Sequence, residues 1–162
     1  MSESRLRDPA HRVSPKARGL WTASALVQVL VGAGVLFLVS DLWNWFPMPA
    51  WAWIGYAVVA IAYLVAMPAI RYRVHRWEVS ESAVYTQTGW LTRERRIAPM
   101  SRVQTVDFNQ GPIGRLIGLA SVTVTTASAA GPLRIHGLDR RLAEQLVDDL
   151  TRRTEAEAGD AT

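Results

Sequence analysis

Two stretches of 21 residues, 20–40 and 50–70, contain no Asp, Glu, Lys, Arg or His. As helices each reaches roughly 30 Å, the thickness of a bilayer's hydrocarbon core. A buried core helix is the other reading of such a run, but the rest of the 162-residue chain is too short to wrap two of them. A cleaved leader does not fit the first run either, because the run outlasts a typical signal-peptide core and a second span follows almost at once. The sequence therefore predicts an integral membrane protein with a two-helix transmembrane hairpin.

The flanks predict its direction. Arg5, Arg7, Arg12, Lys16 and Arg18 precede the first span, Arg71, Arg73 and Arg76 follow the second, and the loop at 41–49 carries only Asp41. Cationic flanks stay in the cytoplasm. Both termini are expected there, with residues 1–19 as a basic tail. The loop holds Trp43, Trp45, Phe46, Pro47 and Pro49, and Trp51 and Trp53 follow it, so these indoles are expected to anchor the hairpin at the outer interface. Gly32, Gly34, Ala62 and Ala66 offer small surfaces for close helix packing. Transporters and proton relays place ionisable groups within the bilayer, whereas only Gln28 and a few hydroxyls are polar here. The hairpin reads as an anchor.

Outside the spans roughly 85 to 90 residues remain, enough for one small aqueous domain. The absence of Cys excludes disulfides, thiolate metal sites and cysteine nucleophiles together. The net charge of +4 favours anionic membrane lipids or an acidic partner. From residue 71 the texture changes to short β-favouring runs, at 72–79, 82–88, 90–97, 103–109, 120–127 and 133–136, separated by Gly, Pro and Ser. Val106 and Phe108 alternate with Gln104, Thr105 and Asp107, the pattern of a half-buried antiparallel strand. The segment from Gly111 to Gly118 reads as a turn or a single helical turn. Leu138, Leu142, Leu146 and Leu150, with Val147 beside them, mark an amphipathic helix with Asp139 at its N-cap. About six strands cannot bury both faces alone, so this helix is expected to close one end or face of a curled sheet. Residues 155–162 are small and polar and read as a disordered tail.

Gly89-Trp-Leu-Thr-Arg93 and the run from Ile97 to Val124, with Asn109-Gln-Gly-Pro-Ile-Gly-Arg-Leu-Ile-Gly118 at its centre, closely resemble the bacterial pleckstrin-homology-like domain of the YdbS type. This is the membrane-flanked domain family, in which paired spans precede the domain. The likeness covers about residues 71–151; Met100-Ser101 departs from the usual longer apolar residue and second basic or polar one. It implies an α+β membrane protein, in which the PH-like domain at 71–154 is a bent antiparallel β-sheet or partial barrel capped by a C-terminal α-helix. It also implies the plasma (inner) membrane of a bacterium, a protein partner, a multi-domain relative carrying several copies of the same domain, and a contribution to envelope homeostasis.

Within the motif, Arg102, Asp107, Asn109, Gln110 and Arg115 could form a site, but the motif is expected to serve the fold. Gly111 and Pro112 would fix a turn, Gly114 and Gly118 would permit close backbone approach, and Leu116 and Ile117 would plug the sheet. Arg71, Arg73 and Arg76 read first as positive-inside topology signals; in the lipid-binding alternative they, with Arg102, would contact anionic headgroups, each cation near the surface contributing about 1 kcal/mol. In the run Arg93-Glu-Arg-Arg96, alternation sends Arg93 and Arg95 to one face and Arg96 to the other. The phosphoinositide loop of eukaryotic relatives is not carried over, since the loop near Ser80 to Ala83 holds Glu81 rather than Lys or Arg.

His11, His75 and His136 have no metal-ligand spacing and are expected at the interface or on surface strands. Glu78, Glu81, Glu94 and Asp107 show no spacing that pairs two as acid and base. Gly111, Gly114 and Gly118 fit neither a dinucleotide nor a P-loop pattern, and no cofactor is expected. Nucleic-acid binding is not expected either, since the basic residues do not share one helix and Asp148-Asp149 interrupt those of the last. The expected function is that of a non-catalytic, membrane-anchored interaction or scaffold module at the inner face of the membrane. The alternatives are an anionic-lipid-binding module and, with less behind it, an uncharacterised enzyme.

Overall fold

The computed structural model describes residues 8–43, 45–46, 48–128 and 131–160. Arg5, Arg7 and Pro47 lie outside the described residues. The chain forms two compact units: Arg18–Ile70, and a second that joins the chain up to Ala17 with everything from Arg71 onward.

The first unit is the hairpin. Helix α1 (Pro15–Phe37) runs into a π-helical turn (Leu38–Leu42), and α2 covers Ala50–Val74. Both helices are long and apolar enough to cross a membrane, with mean hydropathies of 2.1 and 2.0. Tyr63 donates its hydroxyl to Gln28 Oε1 at 2.7 Å, so the one amide side chain within the first run has a partner. Tyr56 donates to the carbonyl of Val29 at 2.5 Å. In hydrocarbon such groups have no water to turn to, and these bonds fasten α1 to α2. A Cβ at Gly32 would stand 2.9 Å from the Tyr56 hydroxyl oxygen, whereas Gly34 has nothing nearby. Ala25 and Ala60 are buried; Ala62 and Ala66, expected in the packing role, are exposed. Packing selected one side of each helix that composition alone does not mark.

The second unit contains two antiparallel sheets that do not close into a barrel. The first has the order β1-β2-β3-β4, from His11–Arg12, Arg76–Val79, Ala83–Gly89 and Arg93–Pro99. The second, β5-β6-β7, uses Val103–Asn109, Leu119–Thr126 and Leu133–Asp139. A 3-10 turn (Met100–Arg102) joins the sheets, a short helix α3 (Pro112–Ile117) separates β5 from β6, and α4 spans Arg140–Asp160. The α+β class expected from the sequence is the one observed.

Strand β1 comes from the segment read as a basic tail. His11 pairs with Trp77 and Arg12 with Arg76. The His11 ring lies 5.0 Å from that of Trp77, the Ala10 amide donates to Glu78 Oε2 at 2.9 Å, and Val13 is buried. At the other junction Tyr72, Arg73 and Val74, expected in a strand, complete α2 instead. The helix propagates at one hydrogen bond per residue, ending as the His75 amide donates to the Arg71 carbonyl at 2.9 Å.

In the second sheet Val122 faces Ile135 and Val124 faces Leu133, all buried. Helix α4 packs on all three strands and contributes Ala143, Leu146 and Leu150 to this core, while Leu142 stays partly exposed. The helix also runs through Glu155 and Ala156 to Asp160, where the sequence suggested a disordered tail. Alternating Glu and Ala are good helix formers, and a helix already nucleated upstream extends through them.

Candidate functional site: a cationic cleft

Register builds the site. On β3 and β4 the pairs Val84–Ala98, Thr86–Arg96 and Thr88–Glu94 follow one another on a single face. That face passes from buried aliphatic to hydroxyl to charge as it nears the β3–β4 turn. On β7, Leu133 and Ile135 are buried, and the alternate residues Arg134 and His136 are exposed. The last turn of α2 supplies Arg71, and His75 follows it. The polar members of this set, together with Trp90, line a cleft of about 710 Å³.

Arg96 donates to the carbonyls of Pro132 at 2.7 Å and Gly131 at 3.0 Å, which ties β4 to the loop before β7. Its Nε lies 3.8 Å from Glu94, the one carboxylate lining the cleft. Arg134 makes no ion pair among the described residues. His75 is buried, with Nδ1 2.9 Å from the Arg71 carbonyl oxygen. Burial pushes its imidazole down to about 4, with the Arg71 and His136 charges acting the same way and the backbone hydrogen bond opposing them. The His136 ring sits 3.3 Å from Ser121 Oγ. Although exposed overall, it is desolvated by the cleft wall and lowered further by Arg134 and Arg71. Both imidazoles are therefore neutral at pH 7, and the positive charge of the cleft resides in three guanidinium groups.

Of the four arginines expected to share one function, only Arg71 lines this cleft. Arg73 is exposed, Arg76 donates to the Pro9 carbonyl at 3.3 Å, and Arg102 is exposed on the 3-10 turn. The alternation expected in β4 does hold: Arg95 bonds Gln87 and Asp8, while Arg96 takes the cleft side. Arg134 escaped the sequence reading, although its place between Leu133 and Ile135 marks it as outward-facing. His75 and His136, far apart in the chain, meet in the cleft.

The motif residues are used locally. Gln110 donates to the Leu119 carbonyl at 3.0 Å and Asn109 to Thr123 Oγ1 at 3.3 Å, while Asp107 accepts from Thr105. Pro112 is at the first turn of α3. At Gly114 a Cβ would stand 2.6 Å from the Leu119 carbonyl oxygen, and Gly118 ends α3 at φ 71°, a left-handed conformation. Gly111 is extended with open space beside it, so its position does not demand glycine. Leu116 does not plug the sheet: it is 87% exposed, Ile113 is 60% exposed, and Ile117 is half-buried. The left-handed turn at Gly118 delivers Leu119 to the core in their place.

The profile of the Bacterial PH domain family matches residues 17–154. The chain belongs to that family. The matched range takes in both apolar helices, so in this bacterial PH domain the hairpin is part of the family pattern. Among curated proteins the chain is similar to a transmembrane protein, YdbS of Bacillus subtilis (strain 168). The two are 29% identical over 151 residues, which cover 89% of this chain and 92% of the relative. No solved structure matches. With its two apolar helices and a transmembrane relative, this is a membrane protein carrying a PH-like domain.

Proposed function

We propose that this bacterial PH domain protein is a non-catalytic, membrane-anchored interaction module at the inner face of the plasma membrane, docking a multi-domain relative of its own family. One observation carries the reading: β5 is an outer strand of the second sheet and leads directly into α3, where Ile113 and Leu116 project into solvent. An outer strand offers unpaired N–H and C=O groups for strand addition, and neighbouring apolar side chains give such a contact its specificity. The hairpin holds the module at the membrane and raises its local concentration.

Pairing of β1 with β2 supports an even number of crossings, because the two strands flank the hairpin in the chain and must lie on one side. The arginines around the spans support the cytoplasm as that side. Trp43, Trp45 and Trp51 are exposed, and Trp53 meets Tyr56 edge-on with centroids 6.4 Å apart. Their amphipathic rings suit the opposite interface.

A photo-crosslinking residue at Ile113 in full-length protein in native membranes tests the reading. It should give an adduct with a protein containing further copies of the domain, and Leu116→Glu in the same chain should diminish it. The same adduct at equal yield from a crosslinker at Arg152, on exposed α4, would rule the docking surface out.

A further inference from the structure

We propose that the cleft between β3–β4 and β7 is a binding site for an anionic phosphate group, with Arg71, Arg96 and Arg134 as its ligands and His136 as an additional donor. This goes beyond the docking reading and does not depend on it.

Three separate elements, α2, β4 and β7, each contribute one arginine to a single concavity, and the cleft wall offers one carboxylate against them. Gathering like charges in a partly desolvated space is unfavourable unless a counter-charge arrives. The guanidinium is the side chain best suited to supply one, since its planar fork donates two hydrogen bonds to a phosphate at once and is weakly hydrated. Arg96 is already oriented by the Gly131 and Pro132 carbonyls, so little side-chain freedom remains to be lost on binding. Arg134 has no competing ion pair among the described residues. A neutral His136 can donate one ring N–H without adding to the repulsion. Trp90, at the wall, offers an apolar face to whatever carries the phosphate.

Size agrees. A cleft of about 710 Å³ lies within the range of small-molecule sites and exceeds what a bare phosphate needs. The same chemistry comes from two sources, a phospholipid headgroup or a soluble phosphate. Arg71 follows Ile70, the last residue of the second apolar run, directly in the chain, which favours the headgroup.

Calorimetric titration of the full-length protein in neutral-detergent micelles tests the site. The probes are dihexanoyl phosphatidylglycerol and inorganic phosphate. Saturable binding of the first alone identifies a headgroup site; binding of both shows that the phosphate itself suffices. In either case Arg134→Gln should weaken affinity about tenfold, the effect of one charge-assisted hydrogen bond. His136→Gln should weaken it less, and Arg141→Gln, which removes an equal charge on the exposed side of α4, should leave it unchanged. Because Arg134 is exposed and has no ion pair among the described residues, its substitution should not disturb folding, which far-ultraviolet circular dichroism verifies. Failure of both probes to saturate, or equal losses from Arg134→Gln and Arg141→Gln, would overturn the proposal.

Discussion

The two sheets of the PH-like domain are held by different forces. The β5–β7 sheet is built from strands consecutive in the chain, with α3 between the first two, and α4 covers it with Ala143, Leu146 and Leu150 against Val122, Val124, Leu133 and Ile135. The β1–β4 sheet instead gathers segments from both sides of the hairpin and is stitched by polar groups. Gln87, almost fully buried, donates to the Val74 carbonyl at 3.1 Å and accepts from Arg95 Nε at 2.8 Å, and Arg95 also reaches Asp8. Apolar burial is strong but undirected, while a buried hydrogen-bond chain specifies which segment joins which. Local chain needs only the first; chain that must be recruited from across two spans also needs the second.

That division can be broken by experiment. Leu150→Ala should cost about 2–5 kcal/mol of domain stability, as deletion of fully buried aliphatic groups does, measured by chemical denaturation of the full-length protein in neutral detergent. Acid should act in part at the entry to the first sheet, where His75 joins α2 to β2. With the folded imidazole near 4 and its ordinary value 6.5, the unfolded chain takes up the proton first as pH falls. Stability is therefore lost progressively from about pH 6.5 to pH 4, by on the order of 3 kcal/mol. A pH series of melting temperatures should show a shallower acid limb in His75→Gln.

The hydrogen-bond chain itself should weigh somewhat less. Gln87→Leu leaves the Val74 carbonyl and the Arg95 guanidinium short of a partner, at about 1–3 kcal/mol in the same denaturation assay. A cost equal to that of Leu150→Ala would erase the contrast between the sheets. Smallest is the effect of Gly118→Ala, about 1 kcal/mol for a left-handed residue gaining a Cβ, read as a small shift in denaturation midpoint.

Much of the fold was legible because its signals are long. Two uncharged runs give the hairpin, the Val106–Phe108 alternation gives β5, and the spacing of Leu142, Leu146 and Leu150 gives α4, whereas Leu138, read as part of the same stripe, lies in β7. Strand β1 was not legible: two residues have no period, and the partner Trp77 lies beyond both spans. Tyr72 and Val74 have strand propensity, but α2 continued through them. Leu116 looked like core because it is apolar, and nothing local reveals that the chain turns at Gly118 before reaching the interior. The cleft was half visible. Arg71 was flagged for its place beside a span and Arg96 for its strand face, but no periodicity relates either to Arg134 on β7.

The pairing of His11 with Trp77 also imposes an order on biosynthesis. During translation β1 leaves the ribosome first, yet its partner strand is made only after both apolar helices have been synthesised. The nascent N-terminal segment must wait, unpaired, while the helices enter the membrane. A chain that inserted only one of them would leave β1 and β2 on opposite sides and β2 with a bare edge.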